Sequence, residues 1–276
     1  SSGYDDQQLN IDGCQDSADR DKHVVGYDPD VFVYMGFANN DADPKDDRRF
    51  RSHLSLIVTR MVNKIVTIPV LKDHRSAGVT VALKNLSHGL NNNVARSHLS
   101  GAYYRRLGDS QSDPNQCNTF IPTAAGQPLI RQKATLHILD GLIGVYEGGP
   151  GCWNPTWGTW RRQSLFFATD PVAMDHVGWW IINSQRARVG LEPVERMGKL
   201  LASPAVTLAT PLSQLSARGP LDAVNLAVGE QGFLGNQVSE QFDRRQPEHV
   251  ALAGTIGMGI FARDKIEHRT IKLLPA

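Results

Sequence analysis

The predicted fold is decided by residues 64–93, which read KIVTIPVLKDHRSAGVTVALKNLSHGLNNN. The β-branched apolar run at residues 65–70 is typical of a buried strand in a parallel sheet. Four polar and charged residues follow at 72–75, and from Ser76 the apolar spacing is that of a helix. In an open α/β sheet, ligands usually bind in the loops at the carboxyl ends of the strands. The sequence therefore predicts a strand, a charged loop that binds a ligand, and a helix.

A cluster of charge after a strand is, from spacing alone, more often a solvated loop than a site. Lys84 and Asn85 lie on the helix that this loop opens, and further polar side chains, including Arg96, continue as far as His98. A purely structural helix does not need so many hydrogen-bond donors close together. We therefore interpret the loop and the helix as a ligand-binding element.

Composition leaves the class of protein broad. The chain has 276 residues, of which 41% are hydrophobic and 21% charged, which suits a globular α/β protein with a full core. The net charge of +1 gives no reason to expect nucleic acid as a partner, and no apolar run approaches the length of a membrane span. We expect a polar, acidic arm at residues 1–22 and a single α/β domain at residues 23–276. This domain should contain a mixed or mostly parallel sheet with helices on both faces and long functional loops.

Three cysteines, Cys14, Cys117 and Cys152, are far apart and form no C-x-x-C pair. We therefore expect no intrinsic iron–sulfur cluster, and the identity of any other cofactor stays open. One disulfide with one free thiol and three reduced thiols are both compatible with this count, so it does not fix the cellular compartment.

A second strand is predicted at residues 133–138, directly before Asp140. The apolar run continues to Glu147, where Gly148 and further glycines must form a loop. The two predicted strands would deliver their charged groups to one edge of a sheet.

Two long connections are candidates for function. Residues 99–128 are rich in Ser, Gly, Asn, Gln and Pro, and loops of this length in compact domains are often functional. Trp153, Trp157 and Trp160 lie in a second loop, where packing onto the domain as a lid is the commoner role. The alternative is a ligand platform or a surface for a protein partner.

Downstream, a short strand is predicted at residues 164–168, followed by Asp170 as the N-cap of a helix with Pro171 at its first position. Asp175 and His176 lie inside this otherwise apolar helix, so they must face water or be paired in a site. Further helices are predicted at residues 50–62 and from Pro247, and a closing strand at residues 268–274.

Four segments resemble, in the same order, the conserved blocks of the domain of unknown function 362 family: IPVLKDHRSAGVTVALKNLSHG, ILDGLIGVYEGGPG, FATDPVAMDHVG and PEHVALAGTIGMGIFARDKIEHRTIKL. Lys72, His74, Lys84 and Asn85 match the first block of that family, whereas Asp73 stands where its members usually have threonine. The later blocks carry over to Asp140, Glu147, Gly148, Pro150, Asp170 and Asp175.

The resemblance also implies expectations about location. Many relatives carry a ferredoxin-like four-iron cluster domain, whose cysteines this chain lacks, and many others have twin-arginine export signals. The sequence begins SSGYDD without an initiator Met, so we expect an exported protein whose leader has been removed. A cytosolic protein is the alternative.

The leading functional hypothesis is an α/β protein that binds a small anionic ligand, as an enzyme or without catalysis. Its catalytic candidates are Lys72, His74, Glu147 and Asp175, whose types suit acid–base chemistry near neutral pH. Its ligand-binding candidates are Lys84, Asn85, Arg96, Asp140, Gly148 and Asp170.

Two alternatives stay open. His and carboxylate ligands also suit a divalent metal ion, although no spacing of the H-E-x-x-H kind supports one. A non-catalytic subunit of a larger assembly would instead bind its protein partner through the 99–128 loop and the three tryptophans.

Overall fold

The structure is a computed structural model, and it describes residues 26–35, 50–74, 77–94, 97, 117–149, 158–196 and 247–273. The predicted arm at residues 1–22 lies outside these ranges. Several of the residues singled out above also lie outside them: Cys14, Arg96, Pro150, Cys152, Trp153 and Trp157.

Two β-sheets form the framework. The smaller pairs β1 (Tyr27–Tyr34) with β2 (Arg51–Ser55) in an antiparallel manner. The larger has five strands: β3 (Ile65–Thr67), β4 (Val70–His74), β5 (Gly78–Thr80), β6 (Ala134–Glu147) and β7 (Gly158–Ala168). Strands β3 and β4 run parallel to β6, whereas β5 pairs antiparallel with β4, and β7 with β6. The prediction of an α/β protein with a mixed sheet is confirmed.

Five α-helices are described: α1 (Ala82–His88), α2 (Cys117–Ala125), α3 (Pro128–Lys133), α4 (Pro171–Arg188) and α5 (Glu248–Thr255). A π-helical turn covers Ile57–Met61, and 3₁₀ turns cover Val194–Arg196 and Arg263–Lys265. In the part of the chain that the structure describes, no helix is long and apolar enough to cross a membrane.

The predicted central strand exists, but it is interrupted. Strand β7 occupies one edge of β6, so β3 and β4 follow each other along the opposite edge. Pro69 lies between them, and it has no backbone N–H to give to a ladder. Its carbonyl still accepts a 2.8 Å hydrogen bond from the Asp140 backbone N–H, so both halves of the strand stay on β6.

Helix α4 packs against one face of this sheet. Asp170 and Pro171 begin it as predicted, because the Asp170 carboxylate accepts hydrogen bonds from two backbone N–H groups of the first turn. At Gly178 the helix comes so close to the sheet that an added Cβ would lie 3.5 Å from both Leu71 and Leu139. The buried positions of α4 recur at helical spacing, as a core-facing helix requires.

Part of the other face of the sheet is open. Val66, Leu165 and Phe167 are exposed by 52%, 50% and 65%, although all three are apolar strand residues. Helices on both faces were expected. Over this part of the sheet, the described residues leave one face uncovered.

The first predicted loop is wrong in its position. Lys72, Asp73 and His74 belong to β4 and pair with β5, so the turn follows them instead of containing them. Val79, predicted as a helical residue, is in β5, and helix α1 begins only at Ala82. The β-branched residues of β5 suit a strand, and this local preference outweighed the apparent helical spacing.

Five further predictions differ from the structure. Residues 51–55 form β2 instead of a helix, and residues 117–125 of the expected 99–128 loop form α2. The strand predicted at 133–138 extends through Asp140 to Glu147, and β7 begins at Gly158 instead of residue 164. No strand forms at 268–273, because the described C-terminal residues pair with no other strand.

Candidate functional site

Lys84 is a buried cation without a partner. It lies in α1 with only 8% of its surface exposed. Among the residues that the structure describes, no acceptor or carboxylate contacts its amine. Burial lowers the pKa of this amine from 10.5 to about 8; Cys117 opposes the shift, and the charge of Lys72 adds to it. An ammonium group that is mostly buried and has no counter-ion among the described residues is costly, so its position needs an explanation.

Three side chains from other elements lie within electrostatic range of Lys84. Lys72 comes from β4, Cys117 from the first turn of α2, and His249 from the first turn of α5. We call these four residues the Lys84 cluster. Helix α1 packs against α2, and α2 against α5, so one local packing arrangement holds the cluster together. Two of its members are lysines, which gives it an excess of positive charge.

His249 is fully buried, and neither nitrogen of its ring has a hydrogen-bond partner within the described ranges. The nearest acid is Asp175, whose Oδ2 lies 4.0 Å from Nε2, beyond hydrogen-bond distance. Burial, followed by the charge of Lys84, lowers the pKa of His249 to about 3. The imidazole is therefore neutral at pH 7, with a free nitrogen able to accept a proton or a hydrogen bond.

Cys117 is a buried free thiol. Its Sγ lies 3.8 Å from the Ser97 hydroxyl and 4.0 Å from Nε2 of His88, and that ring nitrogen and hydroxyl are 2.8 Å apart. Burial raises the pKa of the thiol, against the opposing effects of Lys84 and Ser97. The thiol is protonated at neutral pH, so it leaves the positive charge of Lys84 uncompensated.

Asp175 is buried near His249, and its carboxylate is hydrogen-bonded to the backbone. Its carboxylate accepts hydrogen bonds from the N–H of Ala82 at 2.7 Å and of Leu83 at 3.2 Å, which are the first two residues of α1. Burial raises the pKa of Asp175 well above 3.8, although these two hydrogen bonds favour the charged form. The N-terminus of α1 is thus capped by a side chain of α4.

Two further candidates from the first block have local roles. His74 is buried, and its Nδ1 lies 3.2 Å from the backbone N–H of Ala77, which it accepts across the β4–β5 turn. Asn85 lies in the first turn of α1, where its backbone N–H donates to Val81. Asp73, outside the predicted site, accepts the Gly149 N–H at 2.8 Å and so ties the end of β6 to β4.

The candidates from the second block are divided along β6. Asp140 lies in the middle of the strand, and its Oδ1 accepts the backbone N–H of Leu142. Glu147 ends the strand and forms an ion pair with Arg186 of α4. Gly148 follows at φ +98°, which an L side chain adopts only under strain. Because Lys72 pairs with Val145, Glu147 lies at the same end of the sheet as Lys72, whereas Asp140 does not.

Asp170 has a structural position, as its N-cap pattern indicated. Oδ1 accepts from Val172 and Ala173 at the start of α4, and Oδ2 accepts the N–H of Ile260 at 2.7 Å. This carboxylate therefore joins α4 to the segment after α5. Both of its oxygens are used by backbone groups.

A groove of about 210 Å³ lies between β7 and α4, away from these residues. Trp160, Trp180, Arg162 and Arg188 are among the side chains that line it. None of the predicted catalytic or ligand-binding residues does so. Within the described residues, no group of three His, Cys, Asp or Glu side chains is arranged to hold a metal ion.

Cys117 and His249 were missed by the sequence reasoning. His249 stands in the fourth block, PEHVALAG, two residues after the helix-starting Pro247, so the resemblance carried a signal that we used only for the fold. Cys117 lies in a polar segment without any motif around it. Its relation to Lys84 arises only when α2 packs against α1.

The fold and the cluster define a mixed α/β protein with a buried group of lysine, histidine and thiol side chains beside its sheet. The model of one family, the domain of unknown function (DUF362), matches residues 37–180. The match covers just over half of the chain, so the protein belongs to this family. The comparisons with curated proteins and with solved structures found no match.

Proposed function

We propose that this protein binds a small anionic ligand at the Lys84 cluster. The observation that carries the proposal is Lys84 itself. Only 8% of its surface is exposed, and its amine has no partner within the described residues. Lys72 adds a second positive charge close by. A carboxylate or phosphate group would neutralise both and would supply the acceptors that the Lys84 amine lacks.

The other acids of the region support this assignment because they are already engaged. Asp175 binds two backbone N–H groups of α1, and Glu147 is paired with Arg186. Neither compensates Lys84. The ligand therefore supplies the missing negative charge, and its binding raises the pKa of the Lys84 amine back toward 10.5.

The proposal extends to catalysis by acid–base chemistry. His249 has free ring nitrogens, and the charge of a bound anion raises the pKa of its imidazole from about 3, which makes it a better proton acceptor beside the ligand. Lys72 and Lys84 suit the binding of developing negative charge. His74, Glu147 and Asp175 stay candidates for proton transfer, although the structure gives each of them a partner.

The test is isothermal titration of the purified protein with inorganic phosphate and with citrate. We expect saturable binding of one of them, reduced at least tenfold in Lys84→Met, since charge-assisted hydrogen bonds contribute about 1.5–3 kcal/mol. The matched control is Lys133→Met, because the Lys133 amine is partly buried but already donates to the Val58 carbonyl. Equal binding in both variants, or binding of a divalent metal ion alone, would refute the anion site.

A second candidate function, a subunit of a larger protein assembly, is favoured by the open sheet face at Val66, Leu165 and Phe167. Apolar surface of this kind often marks a protein interface. Size-exclusion chromatography with light scattering tests it. A stable complex with another protein that survives Lys84→Met and is lost in Phe167→Asp would support the subunit function.

A further inference from the structure

We infer that Lys84 is a nucleophile that forms an imine with the carbonyl group of a 2-oxo acid, whose carboxylate is bound by Lys72. The inference rests on the proposed function, because the 2-oxo acid is the anionic ligand in question. It adds a covalent step and narrows the class of ligand.

The first support is that the Lys84 amine has no hydrogen-bond acceptor among the described residues. Another lysine that is partly buried does have an acceptor, because the Lys133 amine donates to the carbonyl of Val58. The Lys84 amine contacts no acceptor among the described residues, although it is far more buried. Once it has lost its proton, an amine without hydrogen bonds has its lone pair available for attack on a carbonyl carbon.

The second support is the set of groups that face Lys84 from each neighbouring element. Lys72 of β4 is the other cation, and its charge disfavours the ammonium form of Lys84. Cys117 of α2 holds a protonated thiol, and His249 of α5 a neutral imidazole. Asp175 of α4 is turned to the backbone of α1. Burial and the charge of Lys72 therefore favour the free amine, and only Cys117 opposes them.

The acid–base state of Lys84 agrees with this geometry. With the pKa of the amine at about 8 instead of 10.5, the neutral fraction at pH 7 is about 300 times that of an ordinary lysine. Burial beside a second cation is also how amines of Schiff-base enzymes are activated in general. The amine can therefore react near neutral pH without an additional base.

The covalent step balances without an oxidant or a reductant. The nitrogen of Lys84 forms a bond to the carbonyl carbon and gives a carbinolamine. The carbon–oxygen bond then breaks, and the oxygen leaves as water with the two protons that the amine loses. His249 has a free ring nitrogen with which to accept and return a proton between these two steps. The nitrogen of Lys84 is then part of an imine instead of a primary amine.

The role of Lys72 follows from its place next to Lys84. It extends from β4 opposite Thr80 of β5, and the Thr80 hydroxyl is buried without a partner within the described ranges. A carboxylate bound between them would receive one charge-assisted and one neutral hydrogen bond. The adjacent carbonyl carbon of a 2-oxo acid would then lie toward Lys84.

The experiment is reductive trapping of the full-length protein with pyruvate and sodium cyanoborohydride, which reduces an imine to a stable secondary amine. Peptide mass mapping then gives the modified residue. We expect modification of Lys84 at least tenfold faster than that of Lys133, Lys265 or Lys272, with a rate that rises to half of its maximum near pH 8. Lys84→Arg, which keeps the charge, should lose the adduct.

The outcomes separate the inference from the function on which it rests. Titration with lactate, which has a hydroxyl in place of the carbonyl, measures binding without imine formation. Binding of lactate and pyruvate without trapping at Lys84 would refute the imine and leave the anion site intact. If pyruvate, lactate and phosphate all fail to bind, the imine and the anion site are both refuted. Since the adduct is mapped in the unaltered protein, a folding defect in Lys84→Arg would not obscure the result.

Discussion

Arg186 and Lys84 carry the same charge and are buried to nearly the same extent, with 0% and 8% of their surfaces exposed. They differ in the hydrogen bonds and ion pairs that their side chains form. Arg186 donates to the carbonyls of Glu192 and Tyr146 and forms an ion pair with Glu147. Lys84 has none of these contacts within the described residues. One buried cation is bonded within the fold, whereas the other is the one for which we propose a ligand.

This difference separates structural from functional charge in a way that burial alone does not. A buried charge that has acceptors contributes to a specific packing arrangement, and its removal leaves those acceptors unpaired. A buried charge without acceptors lowers the free energy of unfolding, and only binding of another molecule offsets that cost. The comparison can be tested by removing each charge in turn.

The largest effect is expected for Arg186→Met. The substitution leaves the carboxylate of Glu147 and the carbonyls of Tyr146 and Glu192 without their donor, so the free energy of unfolding should fall by about 3–5 kcal/mol. Urea denaturation followed by circular dichroism measures this change. Arg188→Met is the matched control, because this arginine lies one half-turn further along α4 and is exposed. A loss below about 1 kcal/mol in Arg186→Met would break the comparison.

The second prediction is that Lys84→Met stabilises the protein. The lowering of the Lys84 pKa from 10.5 to about 8 corresponds to a loss of roughly 3 kcal/mol in the free energy of unfolding at pH 7. This value is the upper bound for the gain in stability in Lys84→Met. Thermal denaturation at pH 7 measures it. Destabilisation by Lys84→Met would mean that the amine has a structural partner after all.

The dependence on pH provides a control for this prediction. Between pH 8 and pH 10.5, the unfolded chain keeps the proton on Lys84 and the folded protein has lost it, so the free energy of unfolding rises with pH. Below pH 8 both states are protonated, and the full cost is present. Lys84→Met should remove this rise, whereas Lys133→Met should retain it.

The third prediction concerns Asp175, whose carboxylate binds two N–H groups of α1. Asp175→Ala leaves the N–H groups of Ala82 and Leu83 buried without an acceptor, so the free energy of unfolding should fall by about 1–3 kcal/mol. Asp175→Asn keeps an acceptor oxygen and should recover part of the loss. Asp140→Ala is the control, since Asp140 accepts only from Leu142 near the surface. Equal stability of the two alanine variants would contradict the capping role.

The sequence predicted those parts of the fold that depend on neighbouring residues. The N-cap pair Asp170 and Pro171 begins α4 as expected, because capping is a local contact. The apolar run after Lys64 is a strand, although Pro69 divides it. The β4–β5 hairpin was missed, because a three-residue strand leaves too little periodicity to be distinguished from the start of a helix.

The site was predicted less well, for a related reason. Lys72 and Lys84 were both named, and the structure brings them close together. Asp140, Asp170 and Glu147 were expected beside them because each follows or begins an element, but each is engaged by a different partner. Which charged residue receives a partner depends on contacts between elements that are far apart in sequence, and no local pattern records those contacts.

The smallest effect on stability is expected for Lys72→Ala, which tests whether the second lysine belongs to the ligand or to the fold. Lys72 is only partly buried in β4, so the free energy of unfolding should change by no more than about 0.5 kcal/mol. Binding of phosphate or of a 2-oxo acid should nevertheless weaken at least several-fold, because one charge-assisted bond is lost.

Removal of the Lys72 charge should also move the Lys84 pKa back toward 10.5, so the midpoint of reductive trapping at Lys84 should shift to higher pH. Lys72→Arg, which keeps the charge, should retain the midpoint near pH 8. An unchanged midpoint in Lys72→Ala would show that burial alone sets the state of Lys84, and the cluster would then reduce to a single functional lysine.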